Sequence, residues 1–153
     1  MGQRASVARL VGGQSPPRPP MILVVDDDPA SRYALARLLA SPSVEIAEAV
    51  SGGDALERIR SRRPSALVLD LVMPGLGGFE VLSALRADAE LRDLPTVVAT
   101  SKVLSDEERT RLSAWGIPVF PKSALGRPEA AGEVLDALRR AGWAVRAVTP
   151  ESV

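Results

Sequence analysis

From Met21 onward the hydrophobic positions alternate between two textures. Short unbroken apolar runs occupy Met21 to Val25, Val44 to Ala49, Ala66 to Leu69, Thr96 to Ala99 and Ile117 to Phe120. Runs of this kind suit strands buried on both faces, as in a parallel sheet. Between them the apolar residues recur with helical spacing. Ala34, Leu35, Leu38 and Leu39 form one stripe, Ala55, Leu56 and Ile59 a second, and Phe79, Val81, Leu82 and Leu85 a third. Leu104, Leu112 and Trp115 make a sparse fourth, and Ala131, Val134, Leu135 and Leu138 a fifth. Helix-start chemistry falls in phase with these stripes: Pro29 after an Asp, Ser51 with Asp54, Ser105 with Glu108, and Pro128. The pattern predicts an α/β fold, a single (βα)5 domain with a doubly wound, five-stranded parallel sheet. Its expected bounds are residues 21–142, with a short C-terminal tail over 143–153.

Residues 1–20 break the pattern. They hold three Arg, no acid, three Gly and four Pro with no sustained period, which predicts a disordered tail. The tail lacks the apolar core of a signal peptide, and no apolar run approaches the roughly 20 residues of a membrane-spanning helix, so a cytoplasmic protein is expected. Met1-Gly2 with Ser6 matches an acylation pattern too short to weigh against chance. The whole chain has 153 residues, enough for one domain with a real core. Its 19 basic and 19 acidic residues cancel, so no overall field draws it to nucleic acid or an anionic membrane. It contains neither Cys nor His, which excludes disulfides, thiol nucleophiles, Cys/His metal sites and Ser-His triads. Carboxylate, hydroxyl and lysine chemistry remains.

Those groups gather where such a sheet binds ligands, beyond the carboxyl ends of its strands. Strand 1 runs into Asp26, Asp27 and Asp28, strand 3 into Asp70, strand 4 into Thr100 and Ser101, and strand 5 into Lys122. Carboxylates brought together repel one another and call for a cation, and a hard, oxygen-seeking ion such as Mg²⁺ suits a water-rich carboxylate site. Asp70 follows a wholly apolar run and precedes the Met73-Pro74-Gly75 turn, which exposes it as the natural nucleophile. A carboxylate can accept a phosphoryl group while a metal and a lysine neutralise the charge that develops. Lysine is scarce, two copies against seventeen Arg, so its place at the tip of strand 5 suggests that a point charge is wanted there.

With these residues in order, the chain resembles a response-regulator receiver domain of two-component signalling, the CheY-like family. ILVVDDDPASRYALARLL resembles the family's first strand, acidic pair and first helix, and LVLDLVMPGLGGFEVL its phosphoacceptor strand and loop. VVATSK resembles the hydroxyl-bearing fourth strand and VFPKS the lysine-bearing fifth. The resemblance implies Asp26 and Asp27 as the acidic metal pair and Asp70 as the residue phosphorylated by a partner histidine kinase or phosphotransfer protein. It implies Thr100 as the switch hydroxyl, Lys122 as the phosphate-sensing lysine, and the Val72 backbone carbonyl as a further Mg²⁺ ligand. Such a module is a phosphoacceptor rather than an enzyme. Downstream partner or dimer contacts are expected on the face made by helix 4, strand 5 and helix 5, bordered by Trp115 and Trp143.

Simpler readings account for several residues. Asp28 suits an N-cap for the helix starting at Pro29. Gly75, Gly77 and Gly78 read as a turn and helix entry, because no Walker lysine follows them. A haloacid-dehalogenase-type phosphatase would carry its nucleophile on strand 1 followed by Thr or Val, which Asp26-Asp27-Asp28-Pro29-Ala30 lacks. A degenerate receiver acting as a constitutive binding surface draws support from two departures. Val119 stands where the family usually has an aromatic residue, and Ser123 where a proline follows the lysine. A cis Lys122-Ser123 bond would cost roughly 2.5 to 4 kcal/mol, so either a trans bond with a rebuilt loop or a strained cis bond is expected.

Overall fold

The five apolar runs become the strands of one sheet. In the computed structural model, which describes residues 19–143, these are β1 (Met21–Val25), β2 (Glu45–Ala49), β3 (Ala66–Leu69), β4 (Thr96–Thr100) and β5 (Val119–Pro121). All neighbours pair in parallel, in the order β2-β1-β3-β4-β5. The segment through residue 18, with Gly2, and the stretch 144–153 lie outside the described residues. Helices α1 (Pro29–Leu39), α2 (Gly52–Ser61), α3 (Gly78–Arg86), α4 (Asp106–Ala114) and α5 (Ala130–Arg140) make the crossovers.

Strand alternation sorts the core into two layers. Ile22, Val24, Val68, Val97 and Phe120 face α1 and α5, meeting Leu35, Leu39, Val134 and Leu138. Leu23, Val25, Leu67, Leu69 and Val98 face the other way, onto Ala55, Ile59, Val81, Leu82 and Leu85 of α2 and α3. Each buried Val, Leu, Ile or Phe among them contributes about 1.5 to 3 kcal/mol. Three of the four helix starts fall where the sequence places them, while α5 begins at Ala130, two residues past Pro128, with Glu129 at its N-cap. Asp28 Oδ2 accepts from the Ser31 amide at 3.3 Å and its hydroxyl at 2.8 Å. Ser51 Oγ accepts from the Asp54 amide at 3.1 Å, and Ser105 and Glu108 form a reciprocal capping box at 3.1 and 2.9 Å.

Three details differ from the expected pattern. Strand β5 begins at Val119 rather than Ile117, because Gly116 turns at φ +68° and the Ile117 amide is drawn back to the Leu112 carbonyl at 2.9 Å. Trp143, expected to border the output face, is buried among the side chains of the α1/α5 layer. Gly142, at φ +110°, turns the chain inward, and the Trp143 amide bonds the Leu138 carbonyl. No peptide bond among the described residues is cis, so Lys122-Ser123 takes the trans form and opens a 3₁₀ turn over Lys122–Ala124.

Candidate phosphoacceptor site

Register builds the site. Val25 pairs with Ala49 on one side and with Leu69 on the other, so the next residues of β1 and β3, Asp26 and Asp70, emerge side by side. The ladder continues past the strands through Asp26 N to Ala49 O at 3.2 Å and Asp70 N to Val25 O at 3.0 Å. On the far side Thr100 pairs with Pro121, which delivers Lys122 over the same edge. Its ammonium lies 2.6 Å from Asp26 Oδ2 and 3.1 Å from Asp70 Oδ2.

Burial sets the electrostatics. Asp26 has no exposed surface, and Asp70 is 5% exposed. Burial pushes the Asp26 carboxyl up from its ordinary value, partly offset by Lys122 and by the Asp28 amide, which donates to Oδ1 at 2.9 Å. Oδ2 accepts no hydrogen bond of good angle; the nearby ammonium is its electrostatic partner. Burial pulls the Lys122 ammonium down, but the contacts with Asp26 and Asp70 outweigh it and hold its pKa above the ordinary value. Lys122 therefore stays charged at neutral pH. One ammonium contacts two of three clustered carboxylates, since Asp26, Asp27 and Asp70 each offer an oxygen within 4.8 Å of the others. Asp27 is exposed and opens the cluster to solvent.

The remaining expected residues stand around this centre. Asp70 Oδ1 accepts weakly from the Val72 amide at 3.4 Å, and Val72 sits at the mouth, 58% exposed. Thr100 is buried at the strand end, and its hydroxyl oxygen accepts from the Lys102 amide at 3.1 Å. Its proton remains available to an acceptor. Asp28 serves as the cap of α1, with its carboxyl held below its ordinary value by the Ser31 hydroxyl and amide.

Arg32 is not singled out by the sequence, and Gly78 reads there only as part of a turn and helix entry. Arg32 spans the acidic corner, giving a guanidinium hydrogen bond to the Asp26 carbonyl at 2.9 Å and pairing with Glu48 at 2.9 Å. Its place one turn into α1 is the only sequence signal. Gly78 packs so closely on the end of β3 that a Cβ there would meet the Asp70 carbonyl oxygen at 2.5 Å and Leu71 Cα at 2.6 Å.

A doubly wound parallel sheet with an acidic cluster and a lysine at its carboxyl edge defines the α/β class of domain that handles charged ligands at that edge. The comparisons narrow this further: residues 22–118 match the model of the response regulator receiver domain, and the chain belongs to that family, the receivers of two-component systems. PilH of Pseudomonas aeruginosa is 36% identical over 107 residues, covering 70% of this chain and 84% of PilH. The response regulator MprA of Mycobacterium ulcerans is 44% identical over 101 residues, covering 66% of this chain but 43% of MprA, so the chain spans less than half that relative's length. Among solved structures, the chemotaxis protein CheY4 of Vibrio cholerae superposes with a TM-score of 0.66 at 25% identity, covering 81% of this chain and 99% of that one.

Proposed function

We propose that Asp70 is the phosphoacceptor of this receiver, charged by a histidine kinase or phosphotransfer protein, and that residues 21–142 form the signalling unit. The observation that carries this reading is the contact of Lys122 with both Asp26 and Asp70 at one strand edge. An Asp70 carboxylate oxygen attacks the phosphorus of a partner's phosphohistidine. The P–O bond forms as the P–N bond breaks, and the bonding pair returns to the imidazole nitrogen. Lys122 can then turn from Asp70 Oδ2 to the new phosphoryl oxygens without leaving Asp26. The Thr100 hydroxyl can donate to another phosphoryl oxygen.

The donor set fits Mg²⁺: three carboxylates of hard oxygen character converge, one of them solvent-facing. Asp26, Asp27, Asp70 and the Val72 carbonyl would hold the ion, which when bound supplies positive charge to phosphoryl oxygens. Output fits the face of α4, β5 and α5, where a cavity of about 470 Å³ runs past Thr100, Leu104, Arg109, Val119 and Pro121. Leu112 is the only fully buried residue of α4, which suits a helix able to shift. We place the exchange in the cytoplasm; no described helix is long and apolar enough to cross a membrane.

Incubation with Mg²⁺ and acetyl phosphate, read by intact mass, tests the assignment. One acid-stable, base-labile phosphoryl group is expected, absent in Asp70→Asn because the amide is a poor nucleophile of nearly the same shape. Labelling that persists in Asp70→Asn overturns it.

A further inference from the structure

A second cleft opens at the opposite edge of the sheet, near the amino ends of β4 and β5. Thr96, the first residue of β4, lines it, four residues from Thr100 at the acceptor edge. At about 3.3 Å per residue the two sites are separated by roughly 13 Å of strand. The cleft has a volume of about 410 Å³, within the range of small-molecule sites. Leu82, Leu94 and Ile117 give it apolar walls. Three arginines from three separate segments converge on it, Arg86 at the end of α3, Arg92 in the loop before β4 and Arg140 at the end of α5, against one carboxylate, Asp93.

The arginines of the described residues divide into those committed to a carboxylate and those that are not. Arg32, Arg58, Arg62, Arg127 and Arg139 each pair with a carboxylate. Arg86, Arg92 and Arg140 make no ion pair among the described residues, a condition they share with Arg37, Arg60, Arg63, Arg109 and Arg111, and they are the three of that group that line this cleft. Arg86 and Arg140 also complement the negative ends of their helices. That role does not extend to Arg92, which lies outside any helix. Arg86 is moreover held in place, stacked 5.7 Å from the Trp115 ring centroid and donating to the Arg92 carbonyl at 3.4 Å. A guanidinium fixed before a ligand arrives loses little freedom on binding, and its planar fork matches phosphate oxygens.

We infer that this cleft is a binding site for a small phosphate monoester of about nucleotide size, recognised through Arg86, Arg92 and Arg140 and separate from the acceptor site. Phosphate oxygens can answer the three guanidiniums where a neutral ligand cannot, and the cleft volume of about 410 Å³ sets the size of the ligand. The reading stands whether or not Asp70 accepts phosphate.

Calorimetric titration of the full chain in Mg²⁺-free buffer tests it, with adenosine monophosphate, adenosine and inorganic phosphate as probes. The monophosphate should bind saturably, inorganic phosphate more weakly, and adenosine not at all. Arg92→Ala and Arg140→Ala, at exposed positions where folding should be unaffected, should each weaken binding by roughly tenfold or more, the loss of one charge-assisted hydrogen bond. Asp70→Asn should bind like wild type. Absence of saturable binding overturns the inference, as does equal affinity for adenosine and its monophosphate, or unchanged affinity in the Arg92→Ala, Arg140→Ala double variant. Loss of binding in Asp70→Asn would place the ligand at the acceptor edge and likewise overturn it.

Discussion

Replacing Lys122 by Met keeps the length of the side chain and removes its charge, which isolates what the ammonium does for the fold. Asp26 is wholly buried, and the substitution leaves its Oδ1 with the Asp28 amide but its Oδ2 without a counter-charge. At 2.6 Å and an effective dielectric near 20, the Coulomb attraction to Lys122 is about 6 kcal/mol, largely offset by the desolvation of both ions. Removing one partner of a buried pair typically costs about 3 to 5 kcal/mol, because the other charge stays buried. Lys122 is 12% exposed, so water can approach the corner and the lower figure applies. At about 3 to 5 °C per kcal/mol for a domain of this size, the melting temperature should fall by roughly 9 to 15 °C. Thermal unfolding in Mg²⁺-free buffer at neutral pH measures the loss. Adding Asp26→Asn should recover part of it, since Asp70 then remains the one buried carboxylate that has lost its Lys122 contact. A Lys122→Met protein melting within about 3 °C of wild type would refute the view that Lys122 neutralises Asp26 in the folded state.

The close approach of Gly78 to the end of β3 makes a second test. Gly78→Ala should destabilise by about 1 to 2 kcal/mol despite the better helix propensity of Ala, and should slow Asp70 labelling, whereas Gly53→Ala, with nothing within 4 Å, should stabilise. Asp28→Ala should lower the melting temperature at neutral pH. Because the folded-state pKa of Asp28 is depressed, its contribution is present above the unfolded-state value and is lost as pH falls through the folded-state one, so the two melting curves should converge in acid. Val119, 42% exposed over the α4 groove, leaves room for a ring, and the lack of one should weaken the link from the site to α4; Val119→Tyr should label at the wild-type rate yet show a larger phosphorylation-linked hydrogen-exchange change in α4, and identical exchange in the two proteins would count against that link.

Much of the architecture was legible because each strand is a short apolar run that ends in a chemically distinctive residue. Parallel register then carries those ends to one edge, so Asp26, Asp70 and Lys122 could be grouped before any distance was known. The missed features depend on relations that spacing does not encode. Gly116 and Gly142 turn at positive φ, which shortens β5 and sends Trp143 into the core, although each reads in sequence as an ordinary loop glycine. Arg32 reaches the Asp26 carbonyl through its side-chain direction, and the Arg86, Arg92 and Arg140 cleft unites segments remote in sequence. It also lies at the edge opposite the one where ligands of such sheets are sought.

The two outer strands carry a consequence for how the protein meets other chains. On one side β2 presents Glu45 and Glu48 outward; on the other, β5 is three residues long and ends in Pro121, which has no amide hydrogen to donate. Both borders thus discourage a further strand from adding itself by backbone pairing. The sheet is guarded against growing into a continuous ribbon with its own copies even when the chain is crowded. Association, including any that phosphorylation drives, is left to helix surfaces, whose side chains can discriminate one partner from another where exposed backbone cannot.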